Sequence, residues 1–224
     1  MPTNSTKLVT ITGEGFISTV LQYPDLRVVF VADADIDADG ANGQNGAIAA
    51  YMVGNKGSEA LGNGGMAIVD GKVVGKNSWF KDIVILGPDG QPAIFPGGII
   101  ASKTAYHWRK SPDGRVLSPS NPEAYVDSET VPYVCVPPEI RIKARGVVLG
   151  CRAVVTWNKK SVECVVADIG PRNKVGEISI AAARALGMNS NPRNGGVEKN
   201  NVTYELFPNT PAKIKGITYE LLAA

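Results

Sequence analysis

Short apolar runs, each closed by glycine, proline or asparagine, recur along most of the chain and restrict it to strand-rich architectures. KLVTI (7–11), LRVVFVA (26–32), VPYVCVP (131–137), GCRAVVTW (150–157), SVECVVADIG (161–170), NVTYELFP (201–208) and GITYELLA (216–223) are five to ten residues long. They are rich in the β-branched and aromatic side chains that suit a pleated, half-buried surface. Asp70 and Gly71 inside GMAIVDGKVVG (65–75) predict a type I′ hairpin, whose two central residues both take positive φ. Pro88, Asp89 and Gly90 predict a turn inside DIVILGPDGQPAIF (82–95), and Asn158, Lys159 and Lys160 a tight turn between two strands. Residues 37–65 read as mostly loop, and the Pro, Ser and Asn-rich passage 111–122 as a surface crossing.

One helix stands out. Ser179 is a natural N-cap, Ile180, Ala183 and Leu186 form one apolar stripe, and Gly187 stops the turn. Short strands around one helix predict a mainly β fold that closes into a small barrel, because closure removes exposed strand edges. The length of 224 residues fits a single domain, with an N-terminal β-rich extension over about residues 1–110 and a barrel core over about 111–224.

Composition narrows the function. With 23 Lys plus Arg against 21 Asp plus Glu, the formal net charge of +2 argues against a charge-driven nucleic-acid partner. No stretch approaches the ~18 apolar residues of a membrane span. One His excludes a His-based zinc site, and Cys135, Cys151 and Cys164 sit singly inside apolar runs, as buried thiols do. Asp35, Asp37 and Asp39 imitate a calcium loop, but Gly46 stands where the bidentate Glu belongs. No metal and no cofactor are expected. Met1 is followed by Pro2, Thr3, Asn4, Ser5 and Thr6, not by a basic and then an apolar segment, so no export signal is expected here. Cytosolic residence, release by lysis and a removed leader all stay open.

The densest chemistry lies in VVADIGPRNKVGEISIAAARALGM, residues 165–188. An apolar run ends in Asp168, a Gly-Pro turn and a basic loop follow, and Glu177 precedes the capped helix. Two readings compete. Both carboxylates could serve one reaction, since strand ends present reactive groups from a rigid scaffold. Equally, Asp168 could brace its turn and Glu177 sit near the helix for its dipole. Nine residues of contour can reach ~30 Å, so a glycosidase-like carboxylate spacing requires the loop to double back.

The ordered set YVDSETVPYVCVP (125–137), GVVLGCRAVV (146–155), VVADIGPRNKVGEIS (165–179), ALGMNSNPRNGG (185–196) and VTYELFP (202–208) resembles the chitosanases of glycoside hydrolase family 75. The resemblance spans about residues 31–208 and is thin between 43 and 98. It implies an endo-acting, inverting hydrolase of β-1,4 glucosamine linkages, with Glu177 as general acid and Asp168 as general base. The same strand, loop and helix also resemble the DRGP segment of rare lipoprotein A-like and expansin-like proteins, which implies a six-stranded double-psi β-barrel. Fold likeness leaves function open. The resemblance further implies a polysaccharide partner, a monomer and an extracellular site of action. A peptidoglycan-cleaving lysis enzyme and a non-catalytic polysaccharide-binding module remain the alternatives.

Acids at period two face one side of an extended segment, so Asp35 and Asp37 are expected to contact a cationic sugar. Asp127 and Glu129 are expected at subsites, Tyr125 as a stacking ring, and Arg193 as the pin of its own loop. The family pattern departs at Ala38, in place of a Cys, at Ile178, in place of a Gly, and at Cys151, in place of an Asp. Ile178 in particular is expected to narrow the cleft or re-aim Glu177.

Overall fold

The computed structural model describes residues 4–13 and 16–222. The leader reading at residues 1–3 and the last residue of the 216–223 run fall outside the described residues. Thr6–Gly13 (β1) and Phe16–Gln22 (β2) form a hairpin whose β2 pairs with Val28–Asp37 (β3) through Leu21 and Gln22, while Ser18 Oγ donates to the Val31 carbonyl at 2.8 Å. After the two-residue strand Tyr51–Met52 (β4), Met66–Val69 (β5) and Lys72–Gly75 (β6) pair around Asp70 and Gly71, at φ 48° and 74°. That is the expected hairpin. A single helical turn, Phe80–Ile83 (α1), precedes Ile94–Phe95 (β7) and Ile99–Ile100 (β8), which pair with each other and, through β8, with β4.

The second half carries Tyr133–Cys135 (β9), Pro138–Lys143 (α2), Cys151–Trp157 (β10), Lys160–Asp168 (β11), Glu177–Ser179 (β12), Ile180–Leu186 (α3) and Val197–Pro211 (β13). The small hairpin Lys213–Ile214 (β14) with Ile217–Thr218 (β15) closes the chain, so only part of the 216–223 run is strand.

Six strands close into a mixed barrel in the order β3, β12, β9, β11, β10, β13 and back to β3. The pairs β3/β12 and β9/β11 are parallel and the rest antiparallel. The mainly β barrel expected from the sequence is therefore present. Two features differ. One barrel strand, β3, comes from the part read as the N-terminal extension, so a boundary near residue 110 does not separate barrel from extension. Two short helices, α1 and α2, join the expected one; each is too short to leave an apolar period in the sequence.

Alternation builds the core. Val28, Phe30, Ala32, Ala34 and Ile36 of β3 are buried, as are Val202, Tyr204 and Leu206 of β13, and the Phe30 and Tyr204 rings stack at 4.9 Å. The last five residues of β11, Cys164–Asp168, are buried on both faces, the pattern of a strand paired in parallel and covered on its outer side. All three cysteines are buried and free. Helix α3 forms as expected: Ser179 Oγ accepts from Ala182 N at 3.1 Å, and Gly187 ends it at φ 82°. The same hydroxyl accepts from Tyr133 N of β9 at 3.0 Å, so the cap also ties helix to barrel. Among the described residues no helix is long and apolar enough to cross a membrane.

Candidate active site

Strand register, not loop length, places the two carboxylates. Across adjacent strands Asp168 of β11 pairs with Cys135 of β9, Cys135 with Glu177 of β12, and Glu177 with Asp35 of β3. Asp168 and Glu177 are thus two strand spacings apart, about 9–10 Å along the sheet, with Cys135 between them. The 169–176 loop does double back.

Both groups open into one cleft of about 1090 Å³, above the ~300–1,000 Å³ of typical small-molecule sites. Seven carboxyl groups line it against three cationic side chains, Lys103, Lys174 and Arg193. The formal net charge of the whole chain is +2, so negative charge is concentrated here.

Each carboxyl group is held differently. Asp168 Oδ1 accepts from Ala105 N at 2.9 Å and Ile169 N at 2.8 Å, so the bracing role weighed from the sequence is real and coexists with access to the cleft. Asp37 Oδ1 accepts from Asp39 N at 2.8 Å, and its Oδ2 from the Cys135 thiol at 2.8 Å. The Asp37 carbonyl accepts from Ser128 Oγ at 2.5 Å. Asp39 is buried, and its Oδ1 has no hydrogen-bond partner. Glu177 lies on β12, three residues ahead of α3, and its Oε2 would come within 2.7 Å of a Cβ at Gly170. A side chain at 170 would push that carboxylate aside. Asp35 forms an ion pair with Lys174 at the mouth of the cleft.

Crowding and burial keep these acids from ionising together. Burial, and then the negative Asp37, pushes Glu177 up to about 8, with Lys174 pulling the other way. Burial first and Asp37 second also raise Asp168 well above the usual carboxylate range. Asp39 is raised by the same two causes, and Asp37 by burial against the bond from Cys135. Where like charges crowd a poorly solvated site, one carboxyl group stays protonated beside another that ionises.

The remaining sequence expectations divide. Asp35 and Asp37 line the cleft. Tyr125, Asp127 and Glu129 do not, and each has a structural task. Tyr125 is buried and its hydroxyl donates to the Pro119 carbonyl at 2.7 Å. Asp127 caps its own turn, accepting from Glu129 N and Thr130 Oγ1, and Glu129 pairs with Arg184 of α3. This segment does not line the cleft but supports it from behind through Ser128, whose hydroxyl holds the Asp37 carbonyl. Contrary to expectation, the Arg193 side chain pins not its own loop but the distant 55–59 loop, donating to the carbonyls of Asn55, Gly57 and Glu59 at 3.0, 3.1 and 3.0 Å, and it also lines the cleft. Ile178 is fully buried in the core, so it neither narrows the cleft nor faces it. Cys151 is likewise buried, its thiol donating to the Gly146 carbonyl.

Sequence reasoning missed Trp79. It lines the cleft with half its surface exposed, and its indole edge packs on Gly65, where a Cβ would fall 2.9 Å from Nε1. Nothing in the local sequence separates it from Trp108 or Trp157; the signal is its exposure. Glu59, Asp82 and Lys103 reach the cleft from the irregular 38–110 region, whose sequence pattern carries no register.

A comparison with protein-family models finds no match to this chain, and one with curated proteins finds none either.

Proposed function

We propose that this chain is an endo-acting glycoside hydrolase that cleaves β-1,4 glucosamine linkages of chitosan with inversion. The observation that carries the reading is the pair Asp168 and Glu177, held two strand spacings apart, with β9 between them, at the rim of a single acidic cleft. At the backbone, that spacing is close to the ~6.5–9.5 Å by which the carboxyl groups of inverting enzymes are separated to seat a water molecule. Glu177, protonated at neutral pH, is the general acid; Asp168 is the general base. The pull of a helix dipole does not oppose this, because Glu177 sits on β12 and not in the first turn of α3.

In the reaction Asp168 takes a proton from water, and the water oxygen bonds to the anomeric carbon. The bond from that carbon to the leaving glycosidic oxygen breaks as Glu177 delivers its proton to that oxygen. Solvent then returns a proton to Glu177 and removes one from Asp168. Chitosan amines are largely cationic in mildly acidic water, so the excess of carboxyl groups favours this polymer over a neutral one.

The deciding experiment is a product-anomer assay on a defined glucosamine oligomer, beside reducing-end release from soluble chitosan. The α-anomer is expected first; a β-anomer would mean retention and end the assignment. Release from peptidoglycan alone would favour wall lysis, and binding without release a non-catalytic module. The free-enzyme pH profile of kcat/KM is expected to fall above about 8, where Glu177 loses its proton. A profile still flat at pH 9 would remove Glu177 as the acid.

A half-exposed indole on the cleft wall, packed on Gly65, suits the apolar face of a sugar ring. Trp79→Ala is expected to raise KM for glucosamine oligomers roughly 3–10-fold with kcat nearly unchanged. An unchanged KM would take the ring out of the substrate path.

A further inference from the structure

The sequence reading makes Asp37 a contact for the cationic sugar, but its carboxyl group points at the chemistry of its neighbours. Each of its oxygens already accepts a hydrogen bond, Oδ1 from Asp39 N and Oδ2 from the Cys135 thiol. One carboxyl oxygen each of Asp37 and Asp168 and the Cys135 sulfur all lie within 4.8 Å of one another. The Asp37 and Asp168 carboxyl groups thus each present an oxygen within 4.8 Å of the other. Two carboxylates that close in a poorly solvated site repel each other unless one carries a proton. Both backbone donors to Asp168 reach Oδ1, leaving Oδ2 as the oxygen that can carry it.

We infer that Asp37 is the positioning residue for Asp168, the two carboxyl groups holding one proton between them, so that the pair and not Asp168 alone draws the proton from water. The strand register supports this. β3 and β11 never pair, yet β9 and β12 lie between them and bring their ends to the same rim. The Ser128 hydroxyl and the Tyr133 hydroxyl hold the Asp37 carbonyl, so the backbone at Asp37 is fixed from behind. Other titratable groups facing the pair are Cys135 and Tyr133 from β9, Glu177 from β12, Asp39 just beyond β3, and Tyr51 and Glu59, which also line the cleft.

The proton ledger of the step closes. The pair begins with one proton and a single negative charge, gains the proton that water loses as its oxygen bonds to the anomeric carbon, and ends with two. Glu177 loses one to the leaving oxygen. Return to the starting state passes one proton from the pair to solvent and one from solvent to Glu177. The catalytic part of this inference rests on the glycosidase reading; the shared proton does not.

Two measurements separate the two. In substrate-free protein with 13C-labelled aspartate side chains, the Asp37 and Asp168 carboxyl resonances are expected to follow the same two titration steps. Asp37→Asn should collapse the Asp168 titration to one step, and Asp168→Asn should do the same to Asp37. Independent single-step curves in the intact protein would overturn the pairing, whatever the protein hydrolyses. On chitosan, Asp37→Asn is expected to lower kcat at least about 100-fold while KM stays within about 3-fold. A raised KM with kcat intact would make Asp37 the sugar contact and sink its positioning role.

Discussion

Asp168→Asn is expected to lower kcat on soluble chitosan by about 10²–10⁴-fold while the barrel stays folded. The separation of effects follows from the hydrogen bonds. An asparagine Oδ1 can still accept from Ala105 N and Ile169 N, so the end of β11 remains anchored to the 104–106 segment. Its amide can also donate toward Asp37, as the protonated carboxyl group does. What it cannot do is take a proton from water at neutral pH. Circular dichroism and the melting temperature should match the parent at pH 5 or exceed it, since a buried acid has been made neutral. Turnover within a few-fold of the parent would remove Asp168 from the mechanism and leave only its bracing role.

The second large effect is expected at Glu177→Gln, and it runs in opposite directions for activity and stability. Activity should fall by about 10²–10⁴-fold, because no proton reaches the leaving oxygen. Stability should rise at neutral pH. Glu177 titrates near 8 in the folded protein and near ~4.3 in an unfolded chain, so folding takes up a proton between those values. For an acid whose folded value is the higher one, the stability present below the unfolded value is lost progressively as pH rises toward the folded value. Glutamine has no such dependence. Allowing for its partial solvent access, the variant should be more stable by about 1–3 kcal/mol at pH 7 and no different near pH 4. Denaturant melts at pH 4, 6 and 8 read this directly; equal stability at all three would mean that Glu177 is an ordinary solvated carboxylate. The gain with loss of function is what a site built on unfavourable charge burial should give.

Local chemistry was legible wherever a residue decides its own geometry. Ser179 and Gly187 marked both ends of α3, and Asp70 with Gly71 marked the β5–β6 turn, because caps and positive-φ turns depend on the residues themselves. In the Asn158–Lys159 turn only two residues take positive φ, while Lys160 already pairs in β11, a one-residue error typical of element ends. Asp168 and Glu177 were legible as candidates, although their spacing came only from the register through β9. The three-residue strand β12 was not legible, since its pairing with β3 and β9 is entirely long-range. Asp127 and Glu129 were misread for the same reason that made them attractive. Acids near a reactive segment look alike in sequence whether they face the cleft or, like Glu129, hold an arginine on the far side. Asp37 was placed correctly in the cleft, but its proximity to Cys135 and Asp168 needed three separate strands to be in place.

Because β9 alone fixes the gap between Asp168 and Glu177, the connection from 169 to 176 is freed from the job of measuring it. Its two ends are constrained, by Gly170 against Glu177 and by Gly176 at φ 102° beside Asp33; between them Pro171, Arg172 and Asn173 are exposed, tied down by the Arg172–Glu139 ion pair and by the Asn173 carbonyl against Gly13. Such a connection can grow or shrink at its crest like an interchangeable fitting. On the proposed reading, diversity in which polymer is gripped evolves there without retuning the chemistry beneath.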